Sequence, residues 1–530
     1  MTDDIRAAAN ALLRESAADP WARLAPSVYE SARLVSDAPW LGGHTERLRA
    51  LCNGQGADGS WGRDGFALLP TLSATEALLA VAGRREPADG AVPAERVRAA
   101  AERGLGRLRG WLAPGGRYAD GPPATISAEL IVPMLVDRVN ARLDGAGAPR
   151  IPMPGGCDTE RLARLRADAA AGRELPADIW HAWEIATPYE PPWPGPHPYA
   201  GSVSCSAAGT AGWLRQAPAP DSAAGRFLES LQRHGNGLVP VAAPIDFYEQ
   251  AWMLNTFVWH GVPHDCPPEI LDRMAAELGP YGIAGGKDLT VDGDDTAAVL
   301  NALACHGRLD EVIGPNSPSS PDGPNSTDGL DGLLTYWNED HFEIYPGEEI
   351  ASPATNGHTV GLLRRLLAER PTQRERLGPL LQRNAGWLLD QQRADGSWAD
   401  FWHVSPYYAT VCAVEALAAY GGERADAAVA RAARWVLDSA HSGGGWGVRE
   451  VTLEETAYAV LVLRSATGTG AAPAPKTAAA LAAAGPVLRD AAVDADVTPL
   501  WLVKDYFAPL RVIEAAVLAA RRAVAESARR

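Results

Sequence analysis

The chain has 530 residues, of which 46% are hydrophobic and 21% are charged, and its formal net charge is −17. This length suffices for two or more domains, and this composition excludes a disordered chain. The acidic charge argues against nucleic acid or an anionic membrane surface as a partner, because both are bound by basic patches.

The chain opens on a segment unlike a secretory signal, since residues 1–18 carry charges and lack an apolar stretch. The apolar runs are far shorter than a membrane span. The six cysteines, at positions 52, 157, 205, 266, 305 and 412, show no CxxC spacing. We therefore expect a cytoplasmic protein with reduced thiols.

Three segments share a glycine-rich turn that carries a tryptophan. Residues 55–61 and 392–398 both read Gln-Xaa-Xaa-Asp-Gly-Ser-Trp, and residues 442–447 form a degenerate copy. Each is followed by a helical pattern that is apolar on most faces, so we expect an outer layer of helices to cover it. Paired helices repeated in this way are typical of toroids. Strand patterns are scarce, and the sequence predicts an all-α fold in which the repeat tryptophans are structural.

The sharpest motif is Asp292-Gly-Asp294-Asp295-Thr-Ala, at the expected start of an inner helix. Crowding like charges at a buried position raises the affinity of at least one carboxyl for a proton. A helix N-terminus stabilises the anion that remains after the proton leaves. Protonating an alkene, a very weak base, requires that combination.

The same residues also fit other roles. Asp-Gly-Asp-Asp-Thr is a good turn and N-cap sequence, and it resembles a calcium-binding cluster. An EF-hand is disfavoured, because Leu303 stands at the twelfth loop position, where a glutamate is needed. The repeats around the motif favour catalysis.

The motif and the Gln-Xaa-Xaa-Asp-Gly-Ser-Trp repeats together resemble the class II terpene cyclases, a family that includes squalene–hopene cyclases and copalyl diphosphate synthases. Trp501-Leu-Val-Lys504 resembles a C-terminal element of that family, and the similarity runs from Gln55 to Val512. The resemblance implies two (α/α) barrel domains in the βγ arrangement. We expect residues 1–21 to be an N-terminal helix of the β domain, residues 22–235 an inserted γ-like barrel, and residues 236–530 the β-domain barrel with the acidic motif.

The resemblance also implies roles for the acidic motif. The middle carboxyl, Asp294, would donate the proton, and Asp292 and Asp295 would tune it. Asn356, in the segment Asn-Gly-His-Thr-Val-Gly, resembles the asparagine that hydrogen-bonds the donor; a loop or N-cap role is the alternative.

Members of the family bind the substrate diphosphate with Mg²⁺, an acidic residue and basic side chains. Glu129 resembles the acidic position and would bind the metal, which prefers oxygen ligands and substrate phosphates. Lys504 resembles the basic position and would supply a point charge to the substrate. A lone Glu or Lys is otherwise most often a solvated surface residue.

The reaction must end with the loss of a proton. His181, in Trp-His-Ala-Trp-Glu, resembles the histidine that holds a water for this step in plant enzymes, although a packing role is also possible. Val241 stands where those enzymes have an asparagine, so we expect a different terminating arrangement. Aromatic side chains near these motifs are expected to stabilise cations by cation–π attraction. They are Tyr248, Trp252, Trp259, Trp402, Tyr407 and Tyr408.

The expected reaction is a protonation-initiated cyclisation of geranylgeranyl diphosphate to a bicyclic copalyl-, halimadienyl- or clerodane-type diphosphate. The alternatives are a drimenyl product from farnesyl diphosphate and a non-catalytic isoprenoid-binding toroid. A squalene-type substrate is disfavoured by the acidic charge, the lack of an apolar anchor and the Lys504 element.

The diphosphate is expected to survive in the product. Synthases that ionise it use an Asp-Asp-Xaa-Xaa-Asp cluster, whereas Asp3-Asp4 and Asp294-Asp295 are followed by alanine at the last position. The expected partners are a prenyl diphosphate substrate and a downstream class I synthase or phosphatase. A second copy of the chain, in a homodimer, is a further candidate partner. Neither nucleic acid nor stable membrane insertion is expected.

Overall fold

The structure is a computed structural model. It describes residues 2–63, 65–83, 92–186, 201–214, 222–232, 237–313, 329–348, 350–471, 474–489, 492–493 and 497–529.

The first part of the chain, residues 2–232, contains helices and no β-strand among its described residues, and it begins with helix α1 (Thr2–Ala18). The helices that follow are α2 (Val28–Asp37), α3 (His44–Asn53), α4 (Leu68–Gly83), α5 (Ala94–Leu112), α6 (Ala128–Gly145), α7 (Thr159–Ala170), a 3₁₀ helix (Ala177–Ala186), α8 (Ala207–Leu214) and α9 (Ala223–Ser230).

The second part adds twelve α-helices among its described residues: α10 (Asp246–Trp259), α11 (Pro268–Glu277), α12 (Gly293–Cys305), α13 (Leu309–Val312), α14 (Gly329–Leu334), α15 (Pro353–Glu369), α16 (Arg374–Asp390), α17 (Pro406–Tyr420), α18 (Glu423–Asp438), α19 (Leu453–Gly468), α20 (Ala474–Arg489) and α21 (Leu510–Ser527). A 3₁₀ turn, Pro371–Gln373, precedes α16. Two short antiparallel hairpins complete it: β1 (Trp337–Asn338) with β2 (His341–Phe342), and β3 (Trp501–Leu502) with β4 (Tyr506–Phe507).

Each part closes into a ring of inner helices with an outer layer. In the second part, α10, α12, α15, α17, α19 and α21 contact one another in that order, and α21 returns to α10. In the first part, α2, α4, α6, the 3₁₀ helix and α8 close a smaller ring. The inner helices are apolar on most sides because they are covered on most sides. The predicted all-α toroid architecture is therefore confirmed.

Helix α1 belongs spatially with the second ring. It packs against α10 and α21, and Leu12 and Leu13 are buried in the same hydrophobic core as those helices. This position supports the proposed return of residues 1–21 to the C-terminal domain. The proposed boundary between residues 235 and 236 lies outside the described residues.

The sequence repeats tie the two helical layers together. The Trp398 indole donates to the carbonyl of Leu388 at the end of outer helix α16, and its backbone N–H donates to Thr410 on inner helix α17. Gln392 donates to the carbonyl of Ala428 on the next outer helix. Trp61 and Trp446 make the equivalent bonds in their own copies. These tryptophans are structural, as predicted.

The β3–β4 hairpin connects the two rings. The carbonyl of Val503 accepts a hydrogen bond of 3.1 Å from the N–H of Ile126 in the first ring. Leu24 also pairs with Pro509, just beyond the hairpin. The hairpin is thereby held between the rings, where Trp501, Leu502, Val503 and Phe507 line a cavity.

None of the described helices combines the length and the apolar character that crossing a membrane requires.

Candidate active site

A cavity of about 390 Å³ lies between the two rings. The first ring contributes Glu129, Arg161 and His181, and the second contributes the acidic motif on α12. Most of the remaining surface is formed by aromatic and aliphatic side chains. Such a cavity suits an apolar molecule that carries one polar end.

The acidic motif lies at the N-terminus of inner helix α12, as the repeat pattern predicts. Asp292 is the N-cap, and its carboxylate accepts a 2.7 Å hydrogen bond from the N–H of Asp295. The Thr296 hydroxyl donates to the carbonyls of Asp292 and Ile283. These bonds hold the motif in one conformation, with all three carboxyl groups lining the cavity.

Gly293 allows the motif to approach the neighbouring chain closely. A Cβ atom at this position would lie 2.4 Å from the carbonyl oxygen of Glu343. The Gly293 N–H donates to the carbonyl of Ile344 at 2.9 Å. The glycine between the first two aspartates is therefore required by packing.

The middle carboxyl has a basic partner. Nδ1 of His358, on α15, lies 2.7 Å from Oδ1 of Asp294, and both side chains are 17% exposed. Burial opposes a charge on the imidazole, but the Asp294 carboxylate outweighs burial and raises the pKa of His358 well above its usual range. A protonated His358 stabilises the carboxylate left when Asp294 gives up a proton.

The outer two carboxyls behave as a pair. Burial raises the pKa of Asp292 well above its usual range, and the adjacent Asp295 carboxylate raises it further. Burial also raises the pKa of Asp295 to about 7. A proton held on Asp292 limits the negative charge around Asp294.

Aromatic side chains line the cavity beside the acid. Tyr248 and Trp252, on α10, lie with ring centroids 4.4 Å apart, and the Trp252 indole donates to the Tyr408 hydroxyl at 2.9 Å. The Tyr408 ring lies 4.4 Å from the ring of Trp501 on β3. Trp402 also lines the cavity. Tyr248, Trp252, Trp402 and Tyr408 therefore all lie on the cavity wall, and their role in stabilising cations remains a prediction.

Two predicted aromatic residues lie elsewhere. The Tyr407 hydroxyl donates to Ser439, and its ring packs on Trp435 of outer helix α18. Trp259 packs over Gly361 and lines a second pocket of about 50 Å³, which shares Trp252 and Tyr408 with the cavity. Both predictions need correction. Tyr407 is one residue before Tyr408 on α17, so its side chain is rotated by about 100° and faces the outer helix. Trp259 is the last residue of α10, about two turns beyond Trp252, and so contacts the second pocket and not the cavity.

Asn356 does not hydrogen-bond the acid in this structure. Its amide accepts from the N–H of Phe342 and donates to the carbonyls of Phe342 and Ser352. The Asn356 side chain is fully buried, and its two bonds to Phe342 join α15 to the β1–β2 hairpin, while the third is made within the first turn of α15. The role predicted for Asn356 falls instead to His358, two residues later on α15.

Lys504 does not line the cavity, contrary to the predicted contact with substrate. Its ammonium is completely buried and lies 2.5 Å from Glu30 and 3.0 Å from Glu184, both equally buried. An ammonium enclosed by two carboxylates is already neutralised and is shielded from a bound anion.

The predicted metal ligand Glu129 does line the cavity, and it lies beside a cation. Nη1 of Arg161 is 3.8 Å from Glu129, and Nη2 is 3.2 Å from Asp178. All three side chains are partly exposed and line the same cavity. The two carboxylates and the guanidinium suit a diphosphate with its metal ion, because Mg²⁺ prefers oxygen ligands and arginine binds phosphate bidentately.

His181 is buried and lines the cavity, as its candidate role as a base requires. Its Nδ1 lies 2.8 Å from the carbonyl oxygen of Ser204, so Nδ1 carries the hydrogen. Nε2 has no hydrogen-bond partner among the described residues. Val241 also lines the cavity.

Sequence reasoning missed four acidic or basic residues of the site. They are Arg161, Asp178, His358 and Asp400. Asp400 accepts hydrogen bonds from the Ser352 hydroxyl and from the N–H groups of Ala354 and Trp402, which fixes the start of α15 beside the cavity. His358 lies in the same polar segment as Asn356, so the sequence marked the segment. Which of the two side chains faces Asp294 depends on how α15 packs against α12.

Comparisons with known proteins identify the family to which the chain belongs. Residues 347–500 match the family described as the squalene-hopene cyclase C-terminal domain. The chain is 36% identical to the ent-copalyl diphosphate synthase of Streptomyces sp. (strain KO-3988), over 97% of this chain and 95% of that protein. It is 34% identical to the labda-7,13-dienyl diphosphate synthase of Streptomyces clavuligerus, over 97% and 92%. Among solved structures, ent-copalyl diphosphate synthase from Streptomyces platensis matches with a TM-score of 0.87 and 38% identity, over 99% of this chain and 100% of that chain.

Proposed function

The chain belongs to the class II terpene cyclases of the copalyl diphosphate synthase type, and we propose that it cyclises geranylgeranyl diphosphate to a bicyclic diphosphate. One observation carries this proposal: Asp294, paired with His358, lines an aromatic cavity whose wall also contains Glu129 and Arg161. An acid, an apolar chamber and an anion-binding group are the parts that this reaction needs.

The reaction begins with proton transfer from Asp294 to the terminal double bond of the substrate. The alkene π electrons form the new C–H bond, and a tertiary cation remains on the adjacent carbon. His358 holds Oδ1 of Asp294 at 2.7 Å, which leaves Oδ2 to carry the proton. The resulting carboxylate is stabilised by the imidazolium and by the N-terminus of α12.

The cation then moves along the folded chain as each ring closes. Tyr248, Trp252, Tyr408 and Trp501 line the cavity along this path, and a cation held over an aromatic face gains on the order of 2 kcal/mol when water is excluded. Holding the flexible chain in a folded conformation supplies a further part of the rate.

The diphosphate end would be bound by Arg161 and by Mg²⁺ held through Glu129 and Asp178. When bound, the metal ion neutralises and orients the phosphate oxygens. The described residues contain no group of three or more His, Cys, Asp and Glu side chains that could hold a metal alone. Glu129 and Asp178 offer two carboxylates on the cavity wall, and Mg²⁺ commonly uses one or two carboxylates together with substrate phosphates.

Incubation of the purified protein with geranylgeranyl diphosphate and Mg²⁺ tests the proposal. After phosphatase treatment, gas chromatography–mass spectrometry should detect a bicyclic alcohol with the mass of dephosphorylated substrate, of copalyl, halimadienyl or clerodane type. Farnesyl diphosphate in parallel tests for a drimenyl product. Recovery of uncyclised alcohol alone from both substrates would overturn the proposal and favour an isoprenoid-binding toroid.

Removing the proposed metal ligand should weaken substrate binding more than chemistry. We expect Glu129→Gln to raise KM by about tenfold or more and to shift the Mg²⁺ dependence to higher concentration, since a carboxylate ligand is lost. Excess chelator should abolish wild-type turnover. Glu160→Gln, an exposed change on the adjacent helix α7, is the control. Full activity in metal-free buffer would contradict the magnesium assignment.

The retained diphosphate makes the product a substrate for a second enzyme. We propose that a class I synthase, which ionises the diphosphate, or a phosphatase consumes it. The cytoplasmic location and the possible homodimer remain predictions from the sequence.

A further inference from the structure

His181 lines the cavity and is held as one tautomer by a single hydrogen bond. Because Nδ1–H donates to the Ser204 carbonyl at 2.8 Å, Nε2 carries the lone pair. This atom is buried and unpaired among the described residues. A neutral imidazole nitrogen with a free lone pair, on a residue that lines the cavity, can accept a proton.

The carbonyl that fixes this tautomer belongs to a strained turn. Ser204 and Cys205 both adopt left-handed backbone conformations, with φ of 48° and 55°. Non-glycine residues rarely adopt this conformation, and it persists where surrounding contacts enforce it. Here Val203 pairs with Ser206 across the turn, which directs the Ser204 carbonyl towards the imidazole.

Lys504 contacts both the segment that carries His181 and the turn that contains Ser204. Its ammonium donates to the backbone carbonyl of His181 at 2.9 Å and to the hydroxyl of Ser206 at 2.8 Å. The carboxylates of Glu30 and Glu184 complete its surroundings. One side chain from the β3–β4 hairpin therefore contacts both the histidine segment and the turn that orients its ring.

We propose that Lys504 is a positioning residue for His181, holding the imidazole so that Nε2 faces the cavity and accepts the terminating proton. The inference rests on the proposed function and deepens it, since it assigns a role to a lysine that does not reach the substrate.

The charges around the histidine suit this role. Burial lowers the pKa of His181 to about 3, and the Lys504 ammonium contributes to the decrease. Burial opposes the ammonium itself, but Glu184 and Glu30 outweigh burial and raise the pKa of Lys504. Throughout the physiological pH range the lysine thus stays charged and the histidine stays neutral. Nε2 of His181 is therefore unprotonated and able to accept a proton.

A weak base is sufficient for this step. A C–H bond next to the final cation breaks, its electron pair forms the C=C bond, and the proton passes to Nε2, directly or through one water. The carbocation is a far stronger acid than an imidazolium ion, so the transfer is favourable. The nearby ammonium then disfavours the imidazolium, which releases the proton to water and restores the neutral base.

The distribution of cyclised products tests the proposal, because it does not depend on how much of the protein is folded. We expect Lys504→Met to lower the ratio of the main product to all other cyclised products by at least about tenfold, which corresponds to about 1.4 kcal/mol. The cation would instead lose a proton elsewhere or be captured by water. His181→Phe should shift the products in the same direction, and Lys504→Arg should retain part of the wild-type ratio.

Arg33→Met is the matched control. Arg33 is an equally buried cation, paired at 2.8 Å with the buried Glu76 in the first ring, and it does not line the cavity. This variant should lose stability but keep the wild-type product ratio. If Lys504→Met does not fold, Ser206→Ala removes one lysine contact and should produce a smaller shift in the same direction.

The outcomes separate the competing roles. An unchanged product ratio in Lys504→Met, with a lower melting temperature, would overturn the proposal and leave the lysine a structural residue. A raised KM with an unchanged ratio would overturn it in favour of a diphosphate contact. Wild-type protein that forms no cyclised product at all would instead refute the proposed function.

Discussion

Asp294→Asn is expected to lower the rate of cyclisation by at least about 10³-fold while the protein remains folded. The amide has nearly the same shape as the carboxyl but no acidic proton to give to an alkene. Single-turnover assays with geranylgeranyl diphosphate would measure the chemical step, and a melting curve would show that the structure is intact. Substrate binding should change little, since Asp294 acts on the reacting double bond.

Asp395→Asn provides the same chemical change outside the cavity. Asp395 is exposed in the second repeat turn, where it accepts hydrogen bonds from Ser397. This variant should retain wild-type turnover. If Asp294→Asn also kept more than a tenth of the wild-type rate, another group would have to be the acid.

His358→Gln is expected to lower the rate of the protonation step by about 10²-fold, with little change in KM. Glutamine can still donate a hydrogen bond to Asp294, but it cannot carry the positive charge that stabilises the carboxylate after proton transfer. The products of the remaining activity should be unchanged, because His358 acts before the first ring closes. Single-turnover rates and product analysis would measure these effects separately.

Asn356→Ala distinguishes the two polar residues of α15. The variant loses buried hydrogen bonds to Phe342 and Ser352, so it should lower the free energy of unfolding by about 1–3 kcal/mol. His358→Gln should cost less stability and more rate. The reverse result, with Asn356→Ala slowing the chemical step of the folded enzyme and His358→Gln leaving it unchanged, would refute the assignment of His358.

The all-α toroids followed from local patterns in the sequence. The turns that contain Trp61, Trp398 and Trp446 recur with apolar helices, and each copy is a self-contained unit that needs only its neighbour to be covered. The acidic motif was also recognisable, since Asp292, Asp294 and Asp295 owe their chemistry to one short helix N-terminus. Such features can be recognised in a sequence because the residues that form them are close to one another in the chain.

Only the tertiary structure decided which partners these residues have. Asp294 pairs with His358, 64 positions away in the chain, and the two-residue difference between Asn356 and His358 becomes decisive only when α15 packs against α12. Lys504 resembled a substrate-binding residue, yet the fold encloses it with Glu30 and Glu184 behind His181. A charged side chain in a sequence has the same appearance whether it faces solvent, substrate or another charge. Its role depends on burial and on long-range contacts, which form only when the two rings meet.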